Sequence, residues 1–133
     1  MRPQIVTSDD IDQHWHWIEP EFKRCIARNI DGFTVADARA EIMEDKSFVL
    51  AIRDDKGVLL MVSKIDSQPD ALHVHLFSGY GMGKWLPFFM QLLQELCHGM
   101  GKKYFSSLSR PGMVRALRRW GKPHSVYMTG VVT

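Results

Sequence analysis

Ala71-Leu72-His73-Val74-His75-Leu76-Phe77-Ser78-Gly79-Tyr80-Gly81-Met82-Gly83-Lys84-Trp85 is the stretch that decides the fold. Its first half, Ala71–Phe77, alternates Leu72, Val74 and Leu76 with His73, His75 and Phe77. That is the period of a strand with one buried face. After it, Trp85, Phe88, Phe89, Leu92, Leu93, Leu96, Cys97 and Met100 recur at three- and four-residue steps, the period of a long amphipathic helix. Pro87 fits the first turn of that helix, where no N–H partner is lost. Strand and helix meet through Ser78–Lys84, which carries glycines at 79, 81 and 83. Without Cβ atoms, a ligand can approach such a backbone closely. The first N–H groups of a helix lack internal acceptors, and with the helix dipole they favour an anion. A nest of this kind suits a diphosphate, and Lys84 adds positive charge at its rim. The same glycines also serve a tight turn that binds nothing. The segment is not a Walker loop, because no Gly-Lys-Ser/Thr ending follows. It is a poor dinucleotide fingerprint too, since Lys84-Trp85 stand where the third glycine belongs.

Upstream of this junction the period changes twice. Gln4–Val6 reads as a short first strand. Thr7 with Asp10 is a loose capping box before an amphipathic stripe, Ile11, Trp15, Ile18, Phe22, Cys25 and Ile26. Pro20 is expected to split that stripe into two shorter helices. Thr34 with Asp37 repeats the capping pattern ahead of Val35, Ala38 and Ile42, and this helix should end near Asp45-Lys46. Ser47–Arg53 and Val58–Ile65 then read as strands joined by a hairpin turn at Asp54–Gly57, and Asp66–Asp70 is the next turn. Downstream, Tyr104–Ser109 reads as a strand, Met113–Trp120 as a short helix closed by Gly121, and Ser125–Val132 as a last strand.

The chain has 133 residues, 45% hydrophobic and 24% charged. That describes one compact domain over residues 1–133 with enough apolar content for its own core. The formal net charge is +2, too small to argue for nucleic acid by itself. The locally basic run Arg110, Arg115, Arg118, Arg119, Lys122 reads first as a solvated helix face. No apolar run approaches the roughly 20 residues a bilayer span requires, and Met1-Arg2-Pro3-Gln4 lacks the apolar core of a signal peptide. The two cysteines, Cys25 and Cys97, fall in helical apolar patterns and make no disulfide framework. The expectation is a cytoplasmic protein without a membrane segment.

Gly81-Met82-Gly83, set between a fourth strand and a long helix, resembles the acetyl-CoA motif of the GNAT (Gcn5-related N-acetyltransferase) superfamily. That motif runs Gln or Arg, two residues, Gly, one residue, then Gly or Ala. Here it reads Ser78-Gly79-Tyr80-Gly81-Met82-Gly83. The element order extends the likeness to nearly the whole chain: strand, two helices, three antiparallel strands, helix, strand, helix, strand.

The resemblance implies an α/β (α+β) fold, a single GNAT-like domain whose central mixed, mostly antiparallel twisted sheet is flanked by helices on both faces. It implies acetyl-CoA or another acyl-CoA as co-substrate, with Phe77, Ser78, Gly79, Tyr80, Gly81, Met82, Gly83 and Lys84 at its pyrophosphate. It implies strands four and five splayed around the pantetheine, and an N-acyltransferase acting on an amine acceptor, with no metal. Pairing into a homodimer is common among such domains. Three positions depart from the pattern: Ser78 replaces Gln or Arg, Leu117 replaces the Tyr that protonates the departing thiolate in many members, and Lys122 replaces the usual Phe. A catalytically inactive GNAT-fold protein with a phage or prophage structural or interaction role is the alternative.

His73 and His75 share a strand face and are the candidate catalytic bases, because imidazole titrates near neutrality. As a zinc pair they lack further ligands at the usual spacing. Ser106, Ser107 and Ser109 have no Gly-x-Ser-x-Gly elbow around them, so a hydrolase nucleophile is not expected there. Tyr80 reads equally as an adenine stack or as a cover for the turn.

Overall fold

The computed structural model describes residues 1–27, 32–108, 122–124 and 127–131. In chain order the elements are β1 (Arg2–Val6), α1 (Ile11–Ile26), α2 (Val35–Met43), β2 (Ser47–Arg53), β3 (Leu59–Ser67), β4 (Ala71–Gly79), α3 (Met82–Gly99), β5 (Tyr104–Leu108), β6 (Lys122–His124) and β7 (Tyr127–Val131). The strands form one sheet in the order β1-β2-β3-β4-β5-β7-β6. Every pairing is antiparallel except β4 with β5, which is parallel.

The sheet has a core on each face. On one side α3 lays Trp85, Phe89, Met90 and Leu93 against Leu50, Ile52, Met61, Ile65, Leu72 and Val74. On the other, α1 and α2 set Ile11, Ile18, Phe22, Ala38 and Ile42 against Val49, Ala51, Val62 and Leu76. β2 is thus buried on both faces, which is why Phe48–Ile52 is a continuous apolar run rather than an alternating one.

Two local expectations fail in α1. Pro20 lies inside a single unbroken helix. Proline removes one backbone donor, the one that would reach His16, but Ile18 and Phe22 on either side of it are fully buried. Burying two such side chains is worth a few kcal/mol, about as much as the proline costs. Nor does Thr7 cap the helix. Asp10 is the N-cap and makes no side-chain cap bond; its Oδ1 instead accepts from the Thr7 N–H at 2.9 Å. The second capping box is real: Thr34 Oγ1 accepts from Asp37 N–H, and the Asp37 carboxylate accepts from Thr34 N–H.

β4 also departs from simple alternation. Lys64 pairs with Leu76 and Ile65 with Val74, so His75 is an extra residue on the β4 side. A bulge of this kind flips every later side chain to the opposite face. Leu72 and Val74 belong to the α3 core, but Leu76 belongs to the α1/α2 core. Phe77, expected beside the histidines, is turned to α3 and lies edge-on to Trp85. The expected helix Met113–Trp120 and its terminator Gly121 lie outside the described residues, as does Leu117. β6 was not expected: Lys122-Pro123 reads as a helix stop, yet it forms a short strand on β7.

Candidate functional site

β4 and β5 pair only from Ala71↔Tyr104 to Val74↔Ser107. β4 then runs on through Gly79, and among the described residues its second half has no β5 partner. The bulge at His75 sits where the pairing stops. Bulges bend the strand that carries them and increase its twist. β5 itself is described only as far as Leu108.

That start lies earlier than the sequence implied. α3 begins at Met82 with Gly81 as N-cap, so Ser78 and Gly79 are strand residues and Met82, Gly83 and Lys84 form the first helical turn. The three glycines serve three different ends. Gly79 is required by packing, since a Cβ there would lie 2.7 Å from the Trp85 ring. Gly81 is required by conformation, with φ of +66°, a region that costs other residues roughly 1–2 kcal/mol. Gly83 is required by neither: a Cβ there would meet nothing within 4 Å.

The α3 N-terminus carries an uncompensated positive end. Lys84 N–H bonds back to Gly81 O and Tyr80 N–H to Leu60 O. Among the described residues no acceptor faces the N–H groups of Gly81, Met82 and Gly83. α1 and α2 each place an aspartate in the first turn, Asp12 and Asp37, whereas α3 has no acid there. The Lys84 side chain passes beside Gly81. Free donors and a helix dipole therefore meet at one exposed turn with a lysine in it, an arrangement suited to an anion.

α1 forms the other wall. Ser78 Oγ donates to Glu21 Oε2 at 2.7 Å, so the hydroxyl at the Gln/Arg position is turned toward a buried carboxylate. Arg24 pairs with the other oxygen of Glu21 and lies 4.9 Å from the Tyr80 ring centre. Tyr80 is half exposed beneath that guanidinium. The Cys25 thiol donates to the Phe77 carbonyl at 3.1 Å. Neither Glu21 nor Arg24 is marked by any sequence motif; they read as ordinary polar positions of an amphipathic helix.

His73 and His75 stay on the α1/α2 face, their rings 6.2 Å apart and nearly parallel. His73 Nδ1 lies 2.8 Å from Ser106 Oγ on β5. Burial holds the His73 imidazole below its ordinary pKa; Asp66 opposes this, and His75 and Lys64 reinforce it. A charged imidazole is disfavoured where water is excluded, which favours the neutral form of His73. His75 Nδ1 lies 2.9 Å from Lys64 Nζ, and its ring meets Phe33 edge-on at 4.6 Å. Lys64 is fully buried and also donates to Glu41 Oε1 at 2.6 Å and Asp66 Oδ1 at 2.5 Å. Ser47 Oγ adds a bond to Asp66 Oδ1 at 2.7 Å.

Donor atoms of Glu41, Asp66 and His75 lie within 4.8 Å of one another, close enough to share an ion. The Lys64 ammonium already bonds all three, so the cation of this cluster belongs to the chain itself. This network was not legible at first reading. Its one signal is that Lys64 and Asp66 follow Val62 at two-residue steps, charges at positions where β3 should turn apolar residues inward.

No family profile matches the sequence, and no curated protein is similar to it. In structure the chain is similar to Tetrahymena Gcn5, with a TM-score of 0.71 over 100% of this chain and 97% of that one at 8% identity. It is similar to the GNAT domain of PAT from S. lividans, with a TM-score of 0.66 over 98% and 89% at 13% identity. It also resembles the GNAT family N-acetyltransferase YhbS from Escherichia coli, solved in complex with CoA. That likeness has a TM-score of 0.58 over 99% and 81% at 12% identity. The chain has the GNAT fold. Among the described residues no helix is long and apolar enough to cross a membrane.

Proposed function

We propose that this GNAT-fold chain binds an acyl-CoA, acetyl-CoA being the simplest, and transfers its acyl group to an amine. The observation that carries the reading is the uncapped, acid-free helix start that follows β4 directly. A diphosphate needs donors of this kind, and a thioester arm would then lie along β4. The N–H groups of Gly81, Met82 and Gly83, with Lys84, would take the pyrophosphate. Tyr80 and Arg24 flank it. The second half of β4 would line the pantetheine, and His73 and His75 stand near the point where the described β4–β5 pairing ends. Catalysis in such a site is largely positioning plus removal of a proton from the amine.

Calorimetric titration with acetyl-CoA tests the binding step. A ligand held at about 100 times its Kd should stabilise the fold by about 2.7 kcal/mol, seen as a raised Tm. No heat and no Tm change at millimolar acetyl-CoA would end the proposal. Leu117, where the resemblance calls for a Tyr acid, favours a second reading in which the chain binds CoA without turning over. Release of CoA thiol in the presence of an amine panel separates the two.

A further inference from the structure

We infer that Lys64 holds His75 as an Nε2–H donor, so that of the two histidines only His73 can serve as the proton acceptor. An ammonium has three N–H bonds and no lone pair. Lys64 Nζ faces three acceptors, Glu41 Oε1, Asp66 Oδ1 and His75 Nδ1, so each of its protons has one partner. A nitrogen 2.9 Å from a group that can only donate must itself present a lone pair. The competing arrangement would protonate His75 Nδ1 toward Asp66 Oδ2, but that oxygen is 3.5 Å away. The shorter contact, to the cation, decides. With Nδ1 committed, the remaining ring proton of His75 sits on Nε2, and that nitrogen donates.

His73 differs in its partner. Its Nδ1 meets the Ser106 hydroxyl at 2.8 Å, a group that can accept as well as donate. A general base needs its lone pair on Nε2, which requires Nδ1–H to donate to Ser106; the contact permits that direction, and the base role selects it. Burial favours the neutral imidazole, the form that can take a proton. Among the described residues, the charged and titratable groups seen around the pair come from neighbouring elements. They are Lys64 and Asp66 on β3 and Glu41 on α2, with each histidine beside the other on β4. Phe33 closes one side of His75. Lys64 touches no reacting atom in this scheme; it is a positioning residue acting through His75. The His75 tautomer stands on this geometry alone. The His73 tautomer and its base role rest on the acyl-transfer reading.

Long-range proton–nitrogen NMR of histidine-labelled protein near neutral pH tests the split without any ligand, with His73→Gln and His75→Gln assigning the signals. His75 should show an unprotonated Nδ1 and a protonated Nε2, and His73 the reverse. A protonated Nδ1 on His75, or Nε2–H on His73, overturns the inference. In Lys64→Met the His75 signals should move toward a mixture of tautomers; unchanged signals would remove Lys64 from the scheme. If that variant does not fold, the wild-type spectrum still decides the tautomers. If acetyl-CoA binds and is turned over, His73→Gln should lower kcat at least tenfold with acetyl-CoA affinity retained; an unchanged kcat overturns the base assignment. Correct tautomers in a chain that binds no acetyl-CoA would overturn the base role and leave the lock standing.

Discussion

The indole of Trp85 fills the space that a side chain on Gly79 would need: a Cβ at Gly79 would lie 2.7 Å from Trp85 Cζ2 and 2.9 Å from the Met61 Cβ. The same indole donates its N–H to the Tyr80 carbonyl at 3.0 Å. Trp85 is 2% exposed, so it cannot swing aside into water. Gly79→Ala should therefore act as overpacking and cost about 1–3 kcal/mol. Urea denaturation reads this directly. A loss within a few tenths of a kcal/mol would mean the indole moves freely, and the turn would then be less fixed than described.

Gly83 predicts the opposite pattern. Its missing Cβ faces open space in the first turn of α3. Gly83→Asp adds an acid at a helix N-terminus, which should leave stability unchanged or raise it by about 0.3–1 kcal/mol. It should nevertheless weaken acetyl-CoA binding at least tenfold, by placing a carboxylate where the diphosphate would lie. Calorimetry and a thermal melt on the same sample check both halves. Undiminished affinity would place the ligand elsewhere.

Lys64→Met removes the cation from between Glu41 and Asp66. Breaking a buried ion pair by deleting one partner costs about 3–5 kcal/mol. The side chains of Glu41 and Asp66 keep 35% and 22% exposure, so water partly replaces the lost charge and about 3 kcal/mol is expected. The double variant Lys64→Met, Asp66→Asn should recover part of that loss. Equilibrium unfolding of the four proteins in the cycle measures the coupling.

His73 gives a pH dependence with a defined sign. Its pKa is lower in the folded chain than the ordinary 6.5 of the unfolded one, chiefly because burial penalises the charged form. Between those two values the unfolded state binds the extra proton, so stability rises with pH there. The contribution is complete above about pH 6.5. It falls as pH drops below that and levels off beneath the folded-state pKa. Urea melts from pH 8 downward should show the decline, and His73→Gln should flatten it. An unchanged slope in His73→Gln would assign the effect to another group.

Much of this molecule is legible from residue order because the signals are local. The Thr34/Asp37 box, the glycine turn after Asp54 and the three-to-four spacing from Trp85 to Cys97 each involve atoms a few residues apart. Each fixes its element before any tertiary contact exists. The three glycines were legible as a turn, but not their separate reasons. Gly79 answers to a ring six residues away, Gly81 to its own φ, and Gly83 to neither.

The sequence determined the order of elements, the apolar faces of the helices and the glycine-rich junction between β4 and α3, because each follows from periodicity and turn chemistry within one segment. Tertiary structure alone decided three things. It kept α1 whole through Pro20, by burying Ile18 and Phe22 on either side. It bulged β4 at His75, which turned Phe77 away from the histidines. It also brought Glu41, Asp66 and His75 around one buried ammonium. Each depends on contacts between residues far apart in the chain, and such contacts gain their energy only once the sheet has assembled.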